Sequence, residues 1–247
     1  MPMDNKFGKI SRISACAALK DGRTILEDLS FTAPYKIMMP FEKENGGIQI
    51  MPLCASAGIM AGDSQEFSYH VKEGADLEVL SQSFEKIHKM DEGSATRTIE
   101  VQVDKNATLY YYPQPVIPFA QSAFDSKMTI HLEDETSRLF LLEIISCGRN
   151  AHDERFQYRR FSSKSCCTEG INSSIATTPA TNRTKCPWKE SECTRATHIW
   201  QTCFSLKSAA EMVKTAVRNP ELSKRQIQQS IWNFRKKSGR SLTKIQK

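Results

Sequence analysis

The residues of this 247-residue chain best suited to chemistry are scattered carboxylates, imidazoles and sulfurs. Glu85, His88 and Met90 lie close together, a mixture of donors that could touch a borderline cation such as nickel. Asp63 follows Gly62 in what reads as a tight turn. Glu143 interrupts the apolar run at 139–145, so its carboxylate is expected to face the interior or a cavity. There it needs a partner or water, and Arg149 is the expected partner. His70 and His131 fall on the polar faces of strands and are expected to be solvated. Cys147 reads as a small apolar group, and Met38, Met39, Met51 and Met60 read as packing. Cys193, His198 and Cys203 have the spacing of the last three ligands of a zinc knuckle. Six residues separate Cys186 from Cys193 where a knuckle has two, so zinc is not expected.

No Ser-His-Asp order, paired catalytic carboxylates or phosphate-cradling glycine loop is present. Ser56-Ala57-Gly58 lacks the Gly-x-Ser-x-Gly of a nucleophile elbow. The chain reads as a non-enzyme.

The elements that position these residues are mainly strands. Phe67, Tyr69 and Val71 alternate with Glu66, Ser68 and His70, and Ile99, Val101 and Val103 alternate likewise. Met128, Ile130 and Leu132 mark a third such strand. Each is followed by a polar turn and a returning apolar segment, and the last of these, 139–145, suits burial on both faces. The turns repeat a small residue two places before a leucine: Ala75–Leu77, Ala107–Leu109 and Ser137–Leu139, spaced by 32 and 30 residues. Such a period fits stacked β-units, as in a sandwich or a β-helical array; separate hairpins reusing one turn chemistry would look the same. The fold class expected is mainly β, with stacked antiparallel or β-helix-like sheets and C-terminal helices.

Composition divides the chain near Lys164. Residues 1–164 carry 19 Lys+Arg against 23 Asp+Glu, and residues 165–247 carry 15 against 5, so the net +6 comes from the tail. All three tryptophans, Trp188, Trp200 and Trp232, lie in that tail, and every aspartate precedes it. Two tail stretches have helical spacing: Leu206, Ala209, Ala210, Val213 and Val217, then Ile227, Ile231 and Phe234 behind Asn219-Pro220. No apolar run approaches the ~20 residues that span a bilayer, and the polar N-terminus lacks a signal-peptide core. A cytoplasmic protein with reduced thiols and no membrane contact is expected.

Five segments, in order, resemble the urease accessory protein family called UreD, or UreH in some bacteria. They are Ala33-Pro34-Tyr35-Lys36-Ile37-Met38-Met39-Pro40-Phe41, Ser56-Ala57-Gly58-Ile59-Met60-Ala61-Gly62-Asp63 and Ser81-Gln82-Ser83-Phe84-Glu85-Lys86-Ile87-His88-Lys89-Met90, followed by Pro113-Gln114-Pro115-Val116-Ile117-Pro118-Phe119 and Glu143-Ile144-Ile145-Ser146-Cys147-Gly148-Arg149. The resemblance implies a non-enzymatic maturation factor. It binds apo-urease, recruits the GTPase UreG through UreF, and passes nickel toward a buried carbamylated lysine. Asp63, Glu85 and Glu143 are the expected nickel-route residues, with His88 a possible metal contact and Arg149 an interior ion-pair candidate. Nickel is then cargo in transit, and no cofactor is tightly held.

Beyond Lys164 the resemblance stops, and the genetic code suggests why. Regrouping each third base with the next two bases from Ser174 to Thr181 permits Tyr-Arg-Asp-Asn-Thr-Arg-Tyr, the strand the family would have there. The same regrouping from Ser191 permits Gly-Met-Tyr-Glu-Gly. Tryptophan has one codon, so Trp188-Lys189 forces a glutamate and Trp200-Gln201 an alanine. Residues 1–164 are thus expected to form a UreD-like β-domain, and 165–247 an out-of-frame tail, poorly ordered or with chance helices, that impairs activity. The competing reading is a β-scaffold binding module whose basic tail contacts nucleic acid, where Lys and Arg would give only nonspecific phosphate contacts.

Overall fold

The computed structural model describes residues 10–169, 173–177, 180–182, 199–207 and 212–219, with side chains described for 10–168. The chain enters as β1 (Ile10–Lys20), turns at Asp21-Gly22 and returns antiparallel as β2 (Arg23–Phe31). Four short strands follow: β3 (Tyr35–Ile37), β4 (Phe41–Glu42), β5 (Ile48–Ile50) and β6 (Pro52–Cys54). The chain then winds in coils. The first is β7 (Ser64–Val71), β8 (Asp76–Leu80) and β9 (Glu85–Ile87). The second is β10 (Ala95–Val103), β11 (Thr108–Tyr112) and β12 (Val116–Pro118). The third begins with β13 (Ala123–Leu132) and β14 (Arg138–Ser146), and closes through the small ribbon of β15 (Gly148–Arg149) and β16 (Glu154–Arg155). A fourth coil opens with β17 (Arg160–Glu169). Past it come β18 (Ser173–Thr177), β19 (Ala180–Asn182), β20 (Ile199–Lys207) and β21 (Met212–Asn219).

The strand–turn–strand units are not hairpins. β7 pairs in parallel with β1 and β10, and β10 with β13, while β8 pairs in parallel with β11, and β11 with β14. Each turn is therefore a corner that carries the chain from one sheet to the other, so the β-helix-like arrangement holds and the antiparallel hairpin alternative does not. A third, narrower side forms where β9 and β12 pair in parallel. Among the described residues, antiparallel pairing is confined to β1–β2, the short strands β3–β6 and β4–β5, the β15–β16 ribbon and the strands after β17.

The repeat of 32 and 30 residues is the coil length. Asp76 lies opposite Thr108, which lies opposite Arg138. Just before them Ala75, Ala107 and Ser137 stack at the corner, all essentially inaccessible. Thr108 N–H donates to the Ala75 carbonyl at 2.8 Å, and Arg138 N–H to the Ala107 carbonyl at 2.9 Å. A side chain larger than alanine or serine would force these corners apart.

Alternation along each strand then fills the space between the sheets with registered rows. Phe67, Ile99 and Met128 form one row; Tyr69, Val101, Ile130 and Cys167 form the next. Facing them are Leu77, Leu109 and Leu139, then Val79, Tyr111 and Leu141. As expected, 139–145 is buried on both faces, since Leu142 and Ile144 pack outward with Tyr110 and Tyr112. A second core fills the third side around Ile59, Ile87, Met90, Phe124, Tyr158 and Phe161.

Two expectations change. Of the stretch with helical spacing, Leu206 lies in β20 and Val213 and Val217 in β21, strands that pair antiparallel with β14 and with each other, while Ala209 and Ala210 lie outside the described residues. The second tail helix lies outside the described residues. Met38, Met39 and Met60 are not packing residues, being 52%, 83% and 50% exposed. No helix among the described residues is long and apolar enough to cross a membrane.

The corner ladder yields a stability test. Ala107→Leu should destabilise the chain by about 1–3 kcal/mol through overpacking, measured by urea unfolding. Ala107→Ser, which copies the next coil's residue, should cost much less. Equal effects of the two would show that the corner is not sterically limited.

Candidate functional site

The inward face of the first sheet is not apolar throughout. Two residues before Phe67 stands Gln65, and two before Ile99 stands Arg97. In register with them are Ser11, Ser126 and Ser163, which makes a row Ser11–Gln65–Arg97–Ser126–Ser163 across five parallel strands. All five are buried. Parallel registration thus draws a polar line through the core at right angles to the strands.

Arg97 is the charged member. Its Nε and Nη2 donate to Gln65 Oε1 at 2.7 and 2.6 Å, and Nη2 also donates to Glu85 Oε2. Gln65 Nε2 in turn donates to the Tyr35 hydroxyl at 2.7 Å. The guanidinium carbon sits 5.3 Å from the ring centroids of both Phe67 and Phe124, so the cation is held by aromatic faces as well as by the carboxylate. Burial is the largest influence and works against this charge, but the charge and hydrogen bond of Glu85, with the neighbouring Tyr35 and Tyr111, together raise it and the guanidinium stays protonated. Burial also keeps the phenols of Tyr35, Tyr69 and Tyr111 protonated.

Tyr35, Tyr69, Glu85, Arg97 and Tyr111 line a pocket of about 520 Å³, together with Ser81, Gln82 and Ser83. Glu143 lies on the inward face of β14, in line with Leu139 and Leu141, as its place in the apolar run implied. Its partner is Ser163, whose hydroxyl lies 3.2 and 3.1 Å from the two carboxylate oxygens, and not Arg149. Desolvation pushes the Glu143 carboxyl above the usual range; the Ser163 hydrogen bond and the positive field of Arg97 oppose this, and the charge of Glu85 adds to it.

The other expected residues are dispersed. Arg149 pairs with Glu154, Nε to Oε2 at 2.7 Å, and lies 4.1 Å over the Phe119 ring in a half-buried site outside the core. Asp63 stays in its turn, where Oδ2 accepts the Met60 N–H at 2.8 Å. His88 meets the Ala57 carbonyl through Nε2 at 3.1 Å and packs edge-on to Phe119, while Met90 is buried in the third-side core and Glu85 faces Arg97. The Glu85, His88 and Met90 grouping is therefore split three ways, with Glu85 in β9 and His88 and Met90 in the non-strand segment that follows it. His70 contacts Asp104 at 3.0 Å and His131 contacts Thr168 at 2.8 Å, so both have partners on the outer face. Cys147 is fully buried, as expected of a small apolar group. Cys186, Cys193 and His198 lie outside the described residues, and among those described no three His, Cys, Asp or Glu side chains gather to hold a metal.

Comparison with known proteins bears out the resemblance read from the motifs. The family model for the UreD urease accessory protein matches residues 10–177. The urease accessory protein UreD of Acetivibrio thermocellus is 41% identical over 162 residues, covering 65% of this chain and 62% of that one. The accessory protein UreH of Helicobacter acinonychis is 41% identical over 161 residues, 65% and 59% of the two chains. UreD of Haemophilus influenzae is 30% identical over 165 residues, again 65% and 59%. The chain spans about three fifths of the length of these curated relatives. With its coiled β-core and a family match that runs through β1 to β18, this chain belongs to the UreD family of urease accessory proteins.

Proposed function

We propose that this chain is a cytoplasmic, non-enzymatic urease maturation factor that helps insert nickel into apo-urease. It works in a GTP-hydrolysis-dependent complex with UreF and, through UreF, UreG. The observation that carries this reading is the family match over residues 10–177. Nickel is the cargo, and the polar row with its pocket is the route. Glu85 in the pocket wall and Glu143 on the inward face of β14 are the carboxylates that meet it. Oxygen ligands offered without a closed cage suit a hard or borderline cation that must leave again. Asp63, whose carboxylate caps its own turn, shapes the chain beside the route rather than the route itself.

The residues from about 165 onward are read out of frame. Restoring the frame would put the family's tyrosine- and arginine-rich strand in place of β18 and β19, which pair with β17 at the edge of the first sheet. Determining the gene's nucleotides around codon 164 tests this: an uninterrupted frame with unrelated codons refutes it.

Two measurements check the functional reading. In cells that express urease with its other accessory proteins but no other UreD, the frame-restored chain should activate urease and the present chain much less. Glu85→Gln with Glu143→Gln should lower the nickel content of urease several-fold while the accessory complex still co-purifies. Asp63→Ala alone should not, and an unchanged nickel content in the double variant removes both carboxylates from the route.

The raised carboxyl of Glu143 also fixes the sign of a pH effect. A buried carboxyl raised above its ordinary 4.5 favours the folded state while protonated, and that contribution is lost as pH rises through its folded value. Relative to the parent, Glu143→Gln should therefore gain in melting temperature as pH is raised from about 4.5 toward neutrality. A difference independent of pH would mean that Glu143 does not titrate inside the fold.

A further inference from the structure

Resting on the reading of the pocket as a cation route, we infer that Arg97 is a tethered counter-cation that a divalent cation must displace from Glu85, so that the cation passes and is not retained. The inference starts from how the guanidinium is held. One of its contacts is to the pocket carboxylate, Nη2 to Glu85 Oε2. Its other contacts do not involve that carboxylate: two hydrogen bonds to Gln65 Oε1, at 2.7 and 2.6 Å, and two aromatic faces, Phe67 and Phe124, each 5.3 Å away. A guanidinium pulled off Glu85 therefore keeps a place to rest.

Gln65 is itself anchored by the Tyr35 hydroxyl at 2.7 Å, so the resting place does not collapse when Glu85 changes partner. The side chain of Glu85 is 23% exposed and lines the pocket, whereas that of Arg97 is 7% exposed. An entering cation reaches the carboxylate without first breaching the aromatic sandwich. Occupied by Arg97, Glu85 contributes no net negative charge to the pocket, and a divalent ion there gains only what it wins by exchange. Without Arg97 the same carboxylate would be an unneutralised anion in a low-dielectric wall, where attraction for a divalent cation is much stronger. Glu143, on the same inward side and close enough to feel both charges, would then add to the trap.

Titrating the purified full-length chain with nickel chloride alone separates this inference from the functional reading, because no urease or partner is present. Arg97→Gln, which keeps a hydrogen-bonding group beside Gln65, should bind nickel at least about tenfold more tightly than the parent. Arg97→Lys should bind as weakly as the parent. The tighter binding should vanish in Arg97→Gln combined with Glu85→Gln. Parent-like affinity in Arg97→Gln, or tight binding that survives loss of Glu85, overturns the inference. Should Arg97→Gln fail to fold by circular dichroism, the parent gives the answer: saturating nickel should shift the Arg97 Nε signal in a ¹⁵N spectrum, and an unmoved signal overturns it. Urease activation by the same variants tests the route separately. Failure of activation with the binding pattern intact would sink the route and leave the displaced arginine standing.

Discussion

Parallel, in-register stacking of the coils is the constraint on which the structure rests. It is set at the corners, where Ala75, Ala107 and Ser137 leave room for consecutive turns to bond backbone to backbone. Side chains alternate with a period of two, so a slip of one residue in any coil would turn its whole inner face outward. The ladder excludes that slip, and each inner position becomes a row running along the coil axis. Whatever a coil places at a given position therefore lies against its equivalents above and below. The hydrophobic core and the polar row are two outcomes of this one rule, separated by only two residues along each strand.

A buried guanidinium–carboxylate pair is not explained by stability. Well-packed apolar side chains of similar volume commonly do as well or better, while removing one partner alone costs about 3–5 kcal/mol. Arg97 and Glu85 sit beside an apolar row, where Phe67 and Ile99 show that the same sheet face accepts large hydrophobes. The pair is also asymmetric: the guanidinium has amide and aromatic partners of its own, and the carboxylate opens onto the pocket. That asymmetry suits an ion pair meant to be opened from the carboxylate side.

Much of this was legible in the sequence, and the gaps have physical causes. The period of two, the small residue at each corner and the inward aim of Glu143 follow from patterns within single strands. Pairing does not, because a strand, a turn and a strand read alike whether they form a hairpin or round a corner between sheets. Arg97 and Gln65 were open to inspection, since each stands two residues before a large apolar residue, Ile99 or Phe67, on the inward face of an alternating strand. Their shared row appears only once the coils are stacked. Assigning Arg149 to Glu143 relied on closeness in sequence, but Ser163 arrives from the next coil and Glu154 claims Arg149 first. In the tail, the apolar spacing at 206–217 suits a helix, yet β20 finds the free edge of β14 and the backbone satisfies itself there.

The first sheet shows how a change of reading frame near residue 165 can coexist with an unbroken strand. β17 runs from Arg160 through Lys164 to Glu169, parallel to β13 along its whole length. Ladder bonds are made by main-chain groups, which every residue except proline supplies in full. What the neighbouring coil asks of β17 is a small or apolar residue at alternate positions, and Phe161, Ser163 and Cys167 meet that demand. Strand continuity therefore says little about which codons were intended. The inward residues decide more: Ser163 precedes the proposed break and is the one that reaches Glu143, so the described end of the polar row lies wholly before it. A frame change after Lys164 would leave Ser163 and its contact to Glu143 in place, and would alter β17 from Ser165 on, Cys167 of the core row included.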